Sequence, residues 1–454
     1  MAVILMTFQA GDSYGLGVQT SVGVVDVAMA RAALGEPRDT TEVPETIEAL
    51  LRADAAARAA PERLVSRLPA EGWSNFLRLV CYARSREPSS RVVRRVVERF
   101  GPYEETMMAE MTPRERVRCV LAGELPDRVP YVEVGVDFPF ISRLLGLNIP
   151  AGRFFEAGEY ESPPIEIQLQ INQILHRDNL AYGMLPPIPA VKRPGEDGIL
   201  YFKDGKIKSW EDLDQLQLPD PSSETFLAPA RRFLEAAGDY ATVCTSRIGI
   251  SPTYLAMGME HFFYCLYDDP ALINELLQRY TDFAVAVAEQ AAQLGFDMFW
   301  TSDDIAFRTG PLFSPKMFRE LMLPHIRRVA DRIREAGIAW AYHSDGNLTP
   351  LMEDLLALGI HVLNPIEAAC MDIRDVKKRY GDRVILCGNV DVDLLTAGTP
   401  EQVREVTLGL LRDVAPGGGY ILASGNSVTS YCSVDCVRTM CDTVYEFGHY
   451  PIQG

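Results

Sequence analysis

Residues 315–347, PKMFRELMLPHIRRVADRIREAGIAWAYHSDGN, contain the repeating unit that decides the fold. The spacing of apolar residues predicts an amphipathic helix over 315–336, and a short apolar strand follows over 338–343. This strand ends in the polar turn His343-Ser-Asp-Gly-Asn347. An apolar strand that follows a helix in this way is typical of a parallel sheet buried on both faces.

The same alternation of helix and strand recurs from residue 111 to the C-terminus. Seven further strands are predicted, at residues 127–135, 180–184, 240–248, 296–302, 361–366, 383–387 and 419–423, and long helical segments such as 270–294 separate most of them. Eight strands over about 340 residues favour a (β/α)8 TIM barrel of the α/β class. A doubly wound open sheet is the alternative, although the Gly-x-Gly-x-x-Gly of its dinucleotide-binding form does not follow the first strand.

The sequence pattern changes near residue 100. Before it, a strand is predicted at Val22–Val27 and a helical stretch at roughly 43–68. After it, the capping-box pattern Thr112-x-x-Glu115 begins a new helix. The chain is therefore predicted to consist of a small N-terminal α+β module over 1–100 and a barrel domain over 111–454.

The composition excludes several classes of partner. The 454 residues include 44 Lys and Arg against 62 Asp and Glu, a formal net charge of −18 that opposes binding to nucleic acid or anionic membranes. No apolar stretch reaches the ~18 residues of a membrane span, and the N-terminus lacks the basic region of a signal peptide. The nine cysteines form no Cys-x-x-Cys pair, so we expect reduced thiols and a cytoplasmic location.

Polar residues collect where the predicted strands end, which is the catalytic end of a (β/α)8 barrel. The catalytic candidates are Asp303, Asp304, Arg247 and Asp391, and the substrate-binding candidates are Glu133, Tyr182, Tyr342 and Asn347. Because Asp and Asn also favour ordinary turns, turn formation alone is the alternative explanation for part of this pattern.

Asp303 and Asp304 are adjacent, so only one of the two side chains is expected to face the barrel mouth. Crowded carboxylates raise one another's pKa, which would suit one of them to act as an acid. An acidic residue at this position is equally compatible with capping of the next helix.

His343 and Asp345 are two residues apart at a strand end, so their side chains are expected to point the same way. An imidazole and a carboxylate suit zinc or another divalent ion, and Glu367 after the next strand is the predicted third ligand. Asn426 follows the eighth strand and is expected to face this group. The alternative is that Asp345 caps the turn and His343 is a neutral hydrogen-bonding group.

Several motifs resemble the uroporphyrinogen decarboxylase superfamily over nearly all of the chain from Met111 onward. They include Met111-Thr-Pro-Arg-Glu-Arg-Val117, Pro126-Asp-Arg-Val-Pro130, His343-Ser-Asp-Gly-Asn347, Gly388-Asn-Val-Asp391 and Pro416-Gly-Gly-Gly-Tyr-Ile-Leu422. The resemblance implies a (β/α)8 barrel, in agreement with the periodicity of the strands. The superfamily has two main branches, a cofactor-free decarboxylase of haem synthesis and corrinoid-linked methyltransferases.

The methyltransferase branch implies a zinc ion held by His-x-Cys, an acidic residue and a late Cys, and this zinc activates an accepting thiol. His343 matches the histidine, and Asp345 stands where the first cysteine would be. Glu367 falls where the acidic ligand of the similar methionine synthase site lies, and Asn426 stands in place of the late cysteine. Because both thiolates are missing, the resemblance implies a harder and more loosely held ion.

The decarboxylase branch fits this sequence less well. Its Arg-rich N-terminal motif is absent, and Val134-Gly-Val-Asp-Phe-Pro-Phe140 follows the first strand instead. The acidic strand ends would repel a porphyrinogen that carries eight carboxylates, whereas they suit a metal ion or an onium methyl donor. Tyr182, Tyr254 and Tyr342 are the aromatic candidates for holding such a donor.

The prediction is therefore a cytoplasmic methyltransferase-like enzyme of this superfamily. It would move a methyl group between a corrinoid carried by a partner protein, or another donor, and a small thiol or pterin acceptor. Zinc is the predicted metal, and neither nucleic acid nor a membrane is an expected partner. A uroporphyrinogen decarboxylase and a non-catalytic ligand-binding barrel are the alternatives.

The N-terminal segment is similar to the small N-terminal domain of fumarylacetoacetate-hydrolase-like proteins. The similarity rests on Gly15-Leu-Gly-Val, Gly23-Val-Val-Asp-Val and Pro44-Glu-Thr-Ile-Glu-Ala-Leu-Leu51. The metal-binding carboxylates of that family lie in a larger C-terminal domain, for which this sequence shows no counterpart. A packing or oligomerisation module is therefore the expected role, and a homo-oligomer is a compatible assembly.

Overall fold

The computed structural model describes residues 4–10, 13–20, 23–26, 110–147, 163–194 and 200–452. The chain divides into two compact units, Met1–Thr106 and Met107–Gly454. In the first unit, β1 (Ile4–Ala10), β2 (Ser13–Thr20) and β3 (Gly23–Asp26) form an antiparallel sheet in that order. Strand β3 lies within the predicted strand Val22–Val27, and the predicted helical stretch 43–68 lies outside the described residues. The resemblance of this unit to a known domain stays a prediction.

The second unit alternates strands and helices along the chain. Its strands are β4 (Asn179–Gly183), β5 (Ala190–Pro194), β6 (Leu200–Gly205), β7 (Ala241–Ser246), β8 (Met298–Ser302), β9 (Ala306–Phe307), β10 (Gly310–Pro311), β11 (Ala339–His343), β12 (Val362–Asn364), β13 (Ile385–Val390) and β14 (Tyr420–Ser424). Its helices are α1 (Pro113–Leu121), α2 (Phe138–Leu145), α3 (Ile165–Leu175), α4 (Trp210–Leu213), α5 (Glu224–Ala236), α6 (Ile250–Met257), α7 (Met259–Asp268), α8 (Pro270–Leu294), α9 (Pro315–Met317), α10 (Leu323–Ala336), α11 (Met352–Leu356), α12 (Ile373–Tyr380), α13 (Val392–Ala397), α14 (Pro400–Asp413) and α15 (Val434–Phe447). A π-helical turn, Phe318–Met322, joins α9 to α10.

Seven parallel strands form one curled sheet in the order β14-β13-β12-β11-β8-β7-β4. Residues 130–133 lie between its two outer strands and connect them. On one side, the Leu422 N–H of β14 donates to the Pro130 carbonyl at 2.9 Å. On the other, the Asp178 N–H, directly before β4, donates to the Tyr131 carbonyl at 2.8 Å. These bonds close the sheet, so the (β/α)8 barrel is confirmed, with an extended segment in place of a regular first strand.

The barrel interior and the layer outside the sheet form two separate apolar clusters. The interior cluster contains alternate residues of the strands, among them Trp300, Ala341 and Cys387. Val117 and Val120 of α1 belong to the same cluster, so α1 covers the N-terminal end of the barrel. The larger cluster lies between the strands and the helices. The C-terminal end of the barrel is therefore the end that remains for a polar site.

Local signals in the sequence set the bounds of the main helices. Thr112 caps α1 and forms a capping box with Glu115, as the sequence pattern predicts. The predicted helix 270–294 coincides with α8, and the predicted helix 315–336 with α9, the π-helical turn and α10. Within the described ranges, no helix is both long enough and apolar enough to cross a membrane.

Candidate functional site

The ends of β8 and β11 bring three titratable side chains together at the C-terminal mouth of the barrel. His343 ends β11 and pairs in register with Ser302, the last residue of β8. Asp304 and Asp345 each follow two residues later, so strand alternation directs them toward the same space. His343 Nε2 lies 3.8 Å from Asp304 Oδ1 and 3.6 Å from Asp345 Oδ1. One ligand atom from each of the three residues lies within 4.8 Å of the other two.

Asn364 determines which nitrogen of His343 faces these carboxylates. It ends β12, where it pairs in register with His343, and its Oδ1 lies 2.6 Å from His343 Nδ1. The amide nitrogen of Asn364 donates to the Cys387 carbonyl at 3.1 Å, so the amide oxygen is the atom left to face the imidazole. His343 Nδ1 therefore carries a proton, and Nε2 is the nitrogen that faces the carboxylates.

Asp345 is held from two sides and keeps one oxygen without a partner. Asn426 Nδ2 donates to Asp345 Oδ2 at 2.5 Å, and the Asp345 backbone N–H donates to Asp304 Oδ1 at 3.1 Å. The pKa of Asp345 is raised to about 6, chiefly by burial; His343 opposes this shift, whereas the charges of Asp304 and Glu367 reinforce it. Asp345 Oδ1 is buried and makes no hydrogen bond.

The donor set of this cluster fits a divalent cation. Two acceptors, His343 Nε2 and the unpartnered Asp345 Oδ1, face each other at 3.6 Å. Leaving a buried acceptor without a partner costs about 1–3 kcal/mol, and a cation between the two would satisfy both. Imidazole nitrogen and carboxylate oxygen are ligands that zinc and similar ions accept. The alternative is an imidazolium that donates its Nε2 proton to the carboxylates.

The other two predicted ligands and Asp391 lie beside the cluster. Glu367 Oε2 accepts from the Gly346 N–H at 2.8 Å. Among the described residues, the group that meets metal-ligand spacing contains Asp304 and does not contain Glu367. Glu367, Asn426 and Asp391 line a cavity of about 220 Å³, and Asp391 also caps α13. A direct metal contact of Glu367 or Asn426 stays a prediction.

Asp303 and Asp304 have different surroundings although they are adjacent. Asp303 is fully buried, and its carboxylate accepts from the backbone N–H groups of Ile248 and Ser251 and from the Ser251 hydroxyl. Burial raises the pKa of Asp303, while the hydrogen bonds from Ser251 and Ile248 oppose the shift. Asp304 has 41% of its side chain exposed and is the member of the pair that faces His343. Asp303 therefore holds the loop after β7.

Three substrate-binding candidates are not brought to the cluster by the fold. Tyr182 packs against Phe233 of α5, with the ring centres 5.2 Å apart. Tyr342 is fully buried and packs edge-on against Trp340. Both tyrosines belong to the layer between sheet and helices. Asn347 forms a turn in which its Oδ1 accepts a backbone N–H two residues later. Their predicted contact with a substrate remains a prediction.

Glu133 is a buried carboxyl group in the segment that closes the barrel. Its Oε2 accepts from the Ser424 N–H at 3.0 Å. Burial raises the pKa of Glu133 to about 7, although the hydrogen bond from the Ser424 N–H and the positive charge of Arg177 oppose the shift. This residue can therefore hold a proton near neutral pH within electrostatic reach of the cluster.

Sequence reasoning did not single out Asn364. The available signal was a polar residue at the end of the apolar run Val362-Leu-Asn364, directly before a proline. That signal does not identify His343 as the partner, because the register between β11 and β12 comes from the folded sheet.

Comparison with known proteins agrees with this architecture. The family model described as uroporphyrinogen decarboxylase (URO-D) matches residues 194–447. The uroporphyrinogen decarboxylase of Shewanella piezotolerans is 22% identical over 369 residues, which cover 75% of this chain and 98% of that protein. The corresponding protein of Methylococcus capsulatus is 27% identical over 257 residues, which cover 53% of this chain and 70% of that protein.

A solved structure shares the fold. It is described as a methyltransferase from Methanosarcina mazei, with a TM-score of 0.59 and 18% sequence identity. The match covers 74% of this chain and 99% of that chain, so the whole of the related barrel has a counterpart here. Because the family model spans more than half of the sequence, the chain belongs to the uroporphyrinogen decarboxylase family.

Proposed function

We propose that the protein transfers a methyl group to a small thiol or pterin acceptor at the mouth of its barrel. The donor is a corrinoid carried by a partner protein, or another methyl donor. The observation that carries this proposal is the cluster of Asp304, His343 and Asp345 with its unpartnered buried oxygen. The fold shared with a methyltransferase supports the same conclusion.

The residues that would hold the metal are His343 through Nε2 and Asp304 and Asp345 through carboxylate oxygens. Zinc bound there would act as a Lewis acid and lower the pKa of an acceptor thiol. Asn364 orients the imidazole through Nδ1, and Asn426 holds one oxygen of Asp345. Both contacts fix the cluster before a ligand arrives, which reduces the cost of ordering it.

Decarboxylation of a porphyrinogen is the second candidate, because the curated relatives carry that name. It requires cationic groups that pair with several carboxylates of the substrate. The mouth instead gathers the carboxyl groups of Asp304, Asp345 and Glu367 around one histidine. Such a charge balance opposes a polyanion and supports a cation at the same place.

A zinc titration of metal-free protein tests the metal site. We expect His343→Ala to weaken zinc binding about 100-fold or more, since it removes the only nitrogen ligand of the cluster. Asp345→Cys is expected to raise zinc affinity about tenfold near neutral pH, because thiolate is a softer ligand than carboxylate. The exposed His449, replaced in His449→Ala, is the matched control and should leave the affinity unchanged. Equal affinity in all four proteins would overturn the metal site.

Activity assays separate the two candidate functions. With methylcobalamin and mercaptoethanol, methyl transfer changes the absorbance of the corrinoid, and His343→Ala is expected to abolish that change. Consumption of uroporphyrinogen by metal-free protein, without any methyl transfer, would instead establish the decarboxylase.

A further inference from the structure

The β5–β6 hairpin is an insertion at the mouth of the barrel that the proposed function does not use. The chain leaves the C-terminal end of β4 and enters β5 (Ala190–Pro194), which pairs antiparallel with β6 (Leu200–Gly205). These two strands form a sheet of their own, separate from the barrel sheet. Because a two-stranded hairpin alone is marginally stable, its contacts with the rest of the chain decide whether it stays in place.

The base of the hairpin is fixed to α6. Gly205, the last residue of β6, lies so close to the backbone of Ala256 that a Cβ would overlap the Ala256 carbonyl. The helix itself is tied to the barrel through Arg247, which follows β7. The Arg247 guanidinium Nη1 donates to the Ser251 hydroxyl in α6 at 2.9 Å and to the Ser302 carbonyl at the end of β8 at 3.1 Å. The base therefore has a rigid support.

The other end of the hairpin is exposed and reaches the loop after β14. Ala190 at the base is buried, whereas Val191 and Tyr201 have 40% and 43% of their surface exposed. The Tyr201 phenol oxygen lies 3.1 Å from the phenol oxygen of Tyr431, and either group can donate. The end of β4 and the segment 130–133 lie between α6 and this loop in the order of the barrel. The hairpin thus runs along the rim of the mouth from α6 to the loop after β14.

The loop that meets the hairpin is held by α2. The Ser430 N–H donates to Asp137 Oδ2 at 2.7 Å. Arg143 Nη2 donates to the Ser430 carbonyl at 2.7 Å and to the Cys432 carbonyl at 3.0 Å. These contacts lie on both sides of Tyr431, so the backbone that carries this tyrosine has a fixed position. Loss of the phenol contact would therefore loosen the hairpin and leave the loop in place.

The contact between the two phenols is weak enough to be reversible. Both tyrosines are exposed, Tyr431 to 65%, so water competes for both hydroxyl groups. The net effect of one such hydrogen bond is a factor of about 2–10 in an equilibrium between two states. A segment with few buried apolar contacts also opens at a low cost in free energy. The hairpin therefore has a rigid base, an exposed end and a weak contact that holds this end.

We propose that the β5–β6 hairpin is a flap at the rim of the mouth, and that the hydrogen bond between Tyr201 and Tyr431 is its latch. With the latch formed, the flap closes the side of the mouth between the ends of β4 and β14. With the latch broken, the flap swings about its base at α6 and opens that side to a ligand. This device does not depend on which reaction the barrel catalyses.

Hydrogen exchange of the backbone amides, followed by mass spectrometry, tests the latch. The proteins are wild type, Tyr201→Phe, Tyr431→Phe and the double variant, because phenylalanine keeps the ring and removes only the hydroxyl. We expect the amides of β5 and β6 to exchange about 2- to 10-fold faster in each single variant. The double variant should exchange no faster than the single ones, since all three lack the same bond. Residues 428–432 should keep the wild-type rate, because α2 holds them.

Tyr267→Phe is the matched control, since Tyr267 of α7 is 78% exposed, and it should exchange like wild type. Cleavage by trypsin after the exposed Lys203 of β6 should follow the same order among the five proteins, because cleavage of an opened segment tracks its population. Unchanged exchange in the variants, or additive effects of the two single changes, would overturn the latch. Faster exchange that extends to β8 and β11 would show a general loss of stability and would overturn it as well.

Discussion

The two ends of the barrel differ in how the oxygens of their buried carboxylates are paired. At the N-terminal end, Arg116 and Arg128 meet Asp127 and Asp178 under the apolar interior cluster. At the C-terminal end, Asp304 and Asp345 face the imidazole of His343, and the amide of Asn426 donates to Asp345. The comparison separates charged groups that are paired within the fold from a carboxylate that keeps an oxygen without a donor.

Every carboxylate oxygen of the N-terminal network has at least two donors. Asp178 Oδ1 accepts from Arg116 and Arg128, and Asp178 Oδ2 from Arg128 and the Tyr131 N–H. Asp127 likewise accepts from Arg116 and from backbone N–H groups through both of its oxygens. On the cationic side, Arg128 Nε is buried without a hydrogen bond, so the full pairing holds for the carboxylates. Buried carboxylates paired to this degree with arginines are typical of a structural role.

The C-terminal cluster departs from that pattern at a single place. Asp345 Oδ1 is buried without a hydrogen-bond donor and lies 3.6 Å from His343 Nε2. In a (β/α)8 barrel, unsatisfied groups at this end belong to the active site. The contrast therefore supports the proposal that the mouth binds a ligand, while the opposite end stabilises the fold.

Removal of Asp178 is expected to have the largest effect and tests the structural half of the comparison. Asp178→Ala leaves the Arg116 and Arg128 guanidinium groups buried and short of acceptors, so the free energy of unfolding should fall by about 3–5 kcal/mol. Urea unfolding of metal-free protein measures this change. Asp345→Ala is the matched change at the other end and should alter the free energy of unfolding by less than about 1 kcal/mol. Equal losses in both variants would break the comparison.

The fold was largely accessible from the sequence because the strands are short apolar runs between long helices. The predicted helix 270–294 and the predicted strand 338–343 agree with α8 and β11 within a residue. The first strand was the exception. Residues 127–135 were predicted as an ordinary strand, but the segment closes the barrel through only a few backbone hydrogen bonds.

The site was accessible only in part, because strand ends identify candidates without identifying their partners. His343 and Asp345 could be placed together since they are two residues apart on one strand end. Asp304 joins them, whereas Glu367 binds a backbone N–H, and that choice depends on loop paths that no local pattern encodes. Tyr342 directly precedes His343, so the same alternation directs it to the outer side of the sheet, whereas the side that Tyr182 faces became known only from the folded sheet.

The pH dependence of stability tests whether Glu133, in the segment that closes the barrel, is a second buried carboxyl group whose charge is destabilised by the fold. Its pKa is raised from 4.5 to about 7 in the folded protein. The native state therefore binds more protons than the unfolded state between these values, and the stability of wild type falls as pH rises through this range. Glu133→Gln has no charge to bury, so it should be the more stable protein by about 2–3 kcal/mol at about pH 8 and nearly equal at about pH 4.

Unfolding by urea at several pH values measures that difference, and metal-free protein excludes any contribution of bound zinc. A constant gap between wild type and Glu133→Gln across the pH range would show that Glu133 does not titrate on folding. The carboxylate without full pairing would then be confined to the cluster at the mouth.

Asn364 offers the smallest expected effect and the sharpest test of the mouth. Asn364→Leu keeps the volume of the side chain but removes the oxygen that accepts from His343 Nδ1. The imidazole can then move its proton to Nε2, where it would face the carboxylates in place of a metal. Loss of such an orienting contact weakens metal binding by about tenfold or more, as a zinc titration would measure. Asn347→Ala, at the same mouth but in a separate turn, should leave the affinity unchanged.

Nitrogen-15 NMR of the histidine side chains in metal-free protein shows which nitrogen of His343 carries the proton, and so tests the hydrogen bond to Asn364. In wild type above the titration of histidine, the His343 ring should show a protonated Nδ1 and an unprotonated Nε2, whereas Asn364→Leu should show both tautomers. A wild-type ring protonated on both nitrogens at neutral pH would mean that an imidazolium pairs with Asp304 and Asp345. The carboxylates of the mouth would then be paired by a side chain of the protein, as they are in the N-terminal network. The difference between the two ends would no longer indicate a metal.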